Sequence, residues 1–306
     1  MKRPAFTLIE LLVVVVVIGL LAAILLPAIN VARESARRQQ CVSRQRDLAL
    51  AMIAYSVANN GLPGYLNQLG ETPIHSWAIA VMPGIGENSR YEILMRPAPS
   101  ADEISQAIAP LFALLCPSDN PREDARLNYI VNCGPASETN NFQNFMLFKD
   151  RRYPLTSTNI KYNIEDIPDG ATNTILLSEN VLFPNNQDAA SEPGFWYRGT
   201  IVDSVRHNWP SLSGIANPPT RNMDDVNHLG FVWARSNEYL PISSVNTSMR
   251  GMAGTVVRAR PSSRHPGTIV AGFADGSAQA INDDIAIDDW LRAVCPDDGG
   301  WNRSTP

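Results

Sequence analysis

From Phe6 to Leu26 only Thr7 and Glu10 are polar, and from Leu11 to Leu26 the apolar run is unbroken. At about 1.5 Å per residue, such a stretch makes a helix about 30 Å long, the thickness of a bilayer core. It exceeds the apolar region of a secretory signal peptide, which runs about 7–15 residues. The pattern predicts a membrane-crossing helix. No Gly or Pro occurs from Ala28 to Ala58, and Cys41, Leu48, Met52 and Tyr55 recur at helical spacing. The helix therefore continues past the membrane and lays that face on a folded body, with Arg33, Arg37 and Arg38 directed to lipid headgroups or neighbouring subunits. Asn59-Asn60-Gly61-Leu62-Pro63 supplies the stop, with Gly61 as the left-handed residue and Pro63 unable to continue.

Beyond Gly61 the texture changes. Residues 62–306 hold 21 of the 23 prolines and 17 of the 19 glycines, among short apolar runs, the pattern of short strands joined by long loops. Ile74–Met82 is a short strand or helix closed by Pro83-Gly84, and the apolar Ala109–Cys116 stops at Pro117-Ser118-Asp119. Asp169-Gly170 turns into a strand over Thr174–Glu179. The polar stretches Pro135–Pro154 and Phe183–Pro219 are loops or insertions. Ile269–Phe273 and Ser277–Ile281 flank Ala274-Asp275-Gly276, which predicts a hairpin with a two-residue Asp-Gly turn, both positions at positive φ. The fold class expected is α+β: a long N-terminal helix, half transmembrane and half amphipathic, on an antiparallel β-sheet with large loop insertions.

Charge divides the chain the same way. Residues 1–46 carry seven basic side chains (Lys2, Arg3, Arg33, Arg37, Arg38, Arg44, Arg46) against Glu10 and Glu34. Of the 25 Lys and Arg and 30 Asp and Glu in the whole, 18 and 28 remain after position 46, a net of −10. A body so acidic argues against binding nucleic acid, which needs cations on phosphates. Four cysteines (Cys41, Cys116, Cys133, Cys295) lie far apart with no C-x-x-C pair. Outside the cytoplasm they allow two disulfides in three connectivities, and four buried thiols are the alternative.

Phe6-Thr7-Leu8-Ile9-Glu10 before a long apolar helix resembles the prepilin cleavage and methylation signature of type IV pilins and secretion pseudopilins. The resemblance implies cleavage by a prepilin peptidase between Ala5 and Phe6, methylation of the new amino terminus, and a role for Glu10 in neutralising a neighbouring subunit's amino terminus. The family usually has Gly before the cut where this chain has Ala5. Pro27 falls where pilin helices often carry a kink-forming proline. The implied divisions are a leader over 1–5, a transmembrane helix over 6–27, an amphipathic extension over 28–60 and an extracytoplasmic pilin-like body over 61–306. Positive-inside counting points the other way, since Lys2 and Arg3 precede the span and five arginines follow within twenty residues; the resemblance is given precedence. Farther on, His265, nine residues and Asp275-Gly276 resemble the H-x9-D-G motif of large bacterial pilin-like proteins. Arg33–Cys41, Leu115–Asp119 and Asp169–Thr174 are similar to segments of that same family. Cys41 and Cys116 both stand in such segments, which implies a disulfide between them and leaves Cys133 with Cys295 as a second pair.

No catalysis is expected. His265 or His207 would serve a hydrolase as base, but no G-x-S-x-G elbow presents a nucleophile, and His265 before Pro266-Gly267 reads as a loop histidine bonded to backbone. Asp275, Asp283, Asp284, Asp288 and Asp289 lack the D-x-D-x-D-G spacing of a calcium loop and read as a solvated acidic face, so no metal or cofactor is expected. The function implied is a pilin-like or pseudopilin-like subunit of a type IV pilus-like or type II secretion-like filament. Its partners are the prepilin peptidase, the membrane and other copies through the N-terminal helices; it begins in the inner membrane and ends in a periplasmic or cell-surface filament. The alternative is a non-polymerising, membrane-anchored surface binding module using Trp196, Tyr197, Trp209 and Trp233.

Overall fold

The computed structural model describes residues 8–67, 75–96, 99–107, 109, 111–119, 127–135, 147–148, 150–151, 163–180, 230–233, 240–241, 260–297 and 299. Helix α1 runs without interruption from Leu8 to Asn59, with Pro27 inside it. Its first half is not buried by the described body: the large apolar side chains from Leu8 to Val31 are exposed. Its second half buries Cys41, Gln45, Leu48, Ala49, Ala51, Met52 and Ser56, a stripe of steps three and four that keeps one face inward. Tyr55 packs partly against the same core. The end of α1 departs from expectation in one detail. Asn60, not Gly61, takes the left-handed conformation at φ 53°, and Gly61 N–H returns to Ser56 O at 2.9 Å, as in a Schellman cap.

Two short strands, β1 (Leu66–Asn67) and β2 (His75–Ser76), and the one-turn α2 (Trp77–Ala80) follow, then α3 (Asn88–Met95) and α4 (Ala101–Ala107). The apolar run before Cys116 forms a 3-10 turn over Phe112–Leu114. The main sheet is made by β3 (Tyr129–Pro135), β5 (Ile175–Glu179), β6 (Gly230–Trp233), β7 (Thr268–Phe273) and β8 (Ala278–Asn282), in the order β6-β3-β5-β7-β8. The small strand β4 (Asp150–Arg151) lies beside β1 in a second sheet, ordered β2-β1-β4. Four strands of the main sheet are antiparallel as expected. β6 departs, joining the edge parallel to β3. The last described helix is α5 (Ile287–Val294).

Both faces of the sheet are covered, which explains why β5 is buried at all five positions. Val131, Leu176, Leu177 and Val270 join the core that includes Cys41, Leu48 and Met52 of α1. Ile130, Ile175, Ile269, Ala271 and Phe273 face the other way, against Trp290, Leu291 and Val294 of α5. Asp288 and Asp289 stand in the first turn of α5, where carboxylates meet the positive end of the helix dipole.

The β7–β8 hairpin corrects the turn expected for it. Phe273 N–H bonds Ser277 O, and Gly276 N–H bonds Phe273 O, so the loop has three residues, Ala274, Asp275 and Gly276. Only Gly276 has positive φ, at 82°; this is a type I turn closed by one left-handed residue. Asp275 Oδ1 accepts Ser277 N–H at 2.8 Å. A Cβ at Gly276 would also meet Leu50 Cδ2 at 2.6 Å. The substitution Gly276→Ala is expected to cost about 1–2 kcal/mol for the left-handed backbone alone, read as a lower thermal midpoint of the detergent-solubilised chain. An unchanged midpoint would contradict this account of the turn.

Candidate functional site

Four segments distant in sequence meet where α1 crosses the sheet. α1 supplies Cys41 and, two turns earlier on the same face, Glu34. The loop after the 3-10 turn supplies Cys116, Ser118 and Asp119. The last residue of β5 is Glu179, and His265 stands in the loop that leads into β7. One potential donor atom from each of Cys41, Cys116, Glu179 and His265 lies within 4.8 Å of all the others, and all four residues are buried. Glu179 has no exposed surface and His265 has 1%.

Each donor is held from behind. Cys41 Sγ donates to Cys116 Sγ across 3.1 Å and lies 3.4 Å from the Tyr129 hydroxyl, which itself donates to Leu115 O. The Cys116 backbone N–H bonds Asn128 Oδ1 at 2.8 Å. His265 Nδ1 is 2.6 Å from Glu34 Oε1, while Nε2 faces Cys116 Sγ at 3.7 Å and Glu179 Oε1 at 3.3 Å. Ser118 Oγ donates to both oxygens of Glu34 at 3.1 Å. Glu179 Oε2 accepts Val270 N–H at 3.1 Å. Oε1 is the oxygen that pairs with His265 Nε2.

These contacts set the acid–base character of the groups. Burial alone would make the His265 ring harder to charge, but Cys116, Glu179 and Glu34 outweigh it and push its pKa up to about 11. Burial pushes the Cys41 thiol up, with Cys116 and Glu179 adding to it. The hydrogen bond from Cys41 holds Cys116 below its ordinary value against its own burial. Burial likewise raises the Tyr129 phenol.

Arg264 Nε and Asp119 Oδ1 form an ion pair at 2.5 Å, and Asn128 Nδ2 donates to Asp119 Oδ2 at 2.9 Å. The residue beside His265 is thus fastened to the residue three after Cys116. Asp169–Thr174 supports the far end of the hairpin: Thr174 O accepts Ala274 N–H and Ala171 O accepts Asp275 N–H.

Of the residues singled out from sequence, Cys41, Cys116 and His265 come together here, and Asp275-Gly276 forms the turn at the other end of β7. The His265 ring is bonded to side chains, not to backbone as expected. Cys133 and Cys295 are buried in the cores on opposite faces of the sheet, on segments joined by the bond from Asn132 Nδ2 to Val294 O at 2.6 Å. Glu10 is on the exposed half of α1; Ala5 and Phe6 lie outside the described residues, as do Trp196, Tyr197, Trp209 and His207. Asp275, Asp284, Asp288 and Asp289 are exposed. Sequence reading missed Glu179 and Glu34. An acid closing a wholly apolar strand signals the first, and spacing of seven from Cys41 signals the second.

The chain belongs to the family described as a protein of unknown function (DUF1559), whose model matches residues 30–288. Residues 1–26 match the prokaryotic N-terminal methylation motif. Type II secretion system core protein G of Pectobacterium carotovorum subsp. carotovorum is 37% identical over 62 residues. That alignment covers 20% of this chain and 40% of the relative's length. No solved structure matches.

Asp119→Ala would strand the Arg264 guanidinium and the Asn128 amide beside the cluster. A loss of about 2–3 kcal/mol is expected, measured by urea unfolding of the detergent-solubilised chain. A change under about 0.5 kcal/mol, the range of surface substitutions, would show that this pair does not hold the two loops.

Proposed function

We propose that the chain is a pilin-like or pseudopilin-like subunit, made as a membrane-anchored precursor and assembled into a filament outside the cytoplasm. The observation that carries the reading is the bare half of α1 joined to a matched methylation motif. A helix apolar on every side from Leu11 to Leu26 is stable only in lipid or among other helices. The described residues of the body leave it uncovered. One helix thus serves twice, spanning the membrane in the precursor and packing with its copies in the filament.

Processing removes residues 1–5 and leaves Phe6 as a methylated amino terminus. Glu10 then becomes the fifth residue of the mature chain. A carboxylate at the centre of a membrane helix costs about 2.5–3.5 kcal/mol, and an ammonium from a neighbouring copy offsets that cost. Phe6 and Glu10 are four residues apart, so a neighbour displaced by about 6 Å along the axis brings its amino terminus level with Glu10. The exposed Arg33 and Arg37 follow the span and meet headgroups in the precursor and other subunits in the filament.

Expression of the full chain in a bacterium with a prepilin peptidase is expected to give a mature mass that starts at methylated Phe6. An intact Met1 would overturn processing and leave a plain membrane-anchored protein. Glu10→Ala is expected to abolish filaments while the thermal midpoint of the body stays unchanged. Filaments formed at normal yield by that variant would remove Glu10 from assembly.

A further inference from the structure

We propose that Cys41, Cys116, Glu179 and His265 form a zinc site that fastens the N-terminal helix to the sheet. Two thiolates, one imidazole and one carboxylate are a donor set suited to Zn²⁺, which takes sulfur, nitrogen and oxygen in a four-coordinate tetrahedron. Bond lengths of about 2.0–2.3 Å put neighbouring donors of such a tetrahedron about 3.3–3.8 Å apart. Cys116 Sγ to His265 Nε2 at 3.7 Å and Nε2 to Glu179 Oε1 at 3.3 Å already fit. The two sulfurs, at 3.1 Å, need only separate by about 0.7 Å.

The surroundings are those of a ligand shell. His265 turns Nδ1 to Glu34 at 2.6 Å, the carboxylate–histidine arrangement that fixes a ring so that its other nitrogen meets a metal. Glu179 is fully buried, its Oε2 held by Val270 N–H and its Oε1 turned into the cluster, 3.3 Å from His265 Nε2. On binding, each thiol and the Nε2 position gives up its proton to solvent, and the metal takes the vacated lone pairs. With every ligand buried, no position opens to a substrate, so the site is structural rather than catalytic.

Two other chemistries compete for these atoms. A Cys41–Cys116 disulfide would need the sulfurs to close by about 1 Å, and it would engage only two of the four groups. A nucleophilic Cys116 with His265 and Glu34 has the right sequence of contacts, but Cys116 is 2% exposed and its sulfur already accepts from Cys41. Only a metal uses all four groups. The proposal is independent of filament assembly and stands or falls separately from it.

The full chain, purified in detergent without chelator, is expected to carry about one zinc per chain by elemental mass spectrometry. Replacement by cobalt should give thiolate charge-transfer bands and the visible bands of a tetrahedral ion. Cys116→Ser should remove most of the charge-transfer absorption. Glu34→Gln keeps all four ligands and the fold, and should weaken zinc about 10–100-fold in competition with a coloured chelator. Metal-free protein in which peptide mapping finds Cys41 bonded to Cys116 would overturn the proposal. So would reduced protein that takes up no added zinc or cobalt, or a Glu34→Gln variant of unchanged zinc affinity.

Discussion

Glu179 places a carboxylate with no exposed surface in the seam between α1 and the sheet, and the neighbouring structure is arranged around that charge. Removing a carboxylate from water costs several kcal/mol after relaxation. A single hydrogen bond from Val270 N–H returns about 1.5–3 kcal/mol. The rest must come from groups that only the folded chain collects: His265 from the approach to β7, Cys116 from a loop sixty-three residues before Glu179, and Cys41 from α1. None of these segments adjoins another in sequence. The seam therefore forms only when helix, loop and sheet are all in place, which makes it a late and cooperative closure.

The same seam explains how one helix lives in two environments. Up to Val31 the side chains of α1 favour lipid or other helices; from Cys41 onward one stripe favours the body. Between these stretches, Glu34 is, among the described residues, the first of α1 bonded to the body, through Ser118 and His265. A load on the helix is therefore met first at the cluster, before the apolar stripe behind it. Gln45 carries the attachment on, its Nε2 donating to Val270 O at 2.9 Å, and Leu48 and Met52 complete it by burial alone.

Much of this could be read from residue spacing. The apolar run, the helical stripe and the two strands around Asp275-Gly276 all follow from periods of 3.6 and 2, and each is present. What escaped depended on partners brought from elsewhere. Glu179 looks like the end of a strand until the fold shows that no water reaches it. Glu34 lies among arginines, where a surface ion pair is the natural expectation; Arg37 does lie 3.8 Å away, but its oxygens also serve Ser118 and His265. β6 could not be found as a parallel partner of β3, because about a hundred residues separate the strands and nothing local records their pairing. The left-handed residue after α1 fell to Asn60 because Asn tolerates that conformation and the return bond sets the position, not the presence of the next Gly.

The fixed interval between His265 and Asp275-Gly276 has a mechanical reading in this fold. β7 runs along α1 in the same direction, touching it at three levels. His265 meets Cys41, Val270 O meets Gln45, and the Gly276 turn meets Leu50 and Ile53. From residue 41 to 50 or 53 the helix advances about 14–18 Å, and six residues of β7 advance about 17 Å from first to last. The strand is thus the length that lets its leading loop reach the cluster while its turn closes on the helix two to three turns farther on. Gly272 permits the close approach between, for a Cβ there would stand 3.2 Å from Gln45 O and 2.6 Å from Leu177 Cδ2. A strand longer by two residues would keep every side chain on its proper face, yet it would pull either the histidine from the sulfurs or the turn from Leu50. The interval is a length matched to the helix, and the buried cluster is the end from which that length is measured.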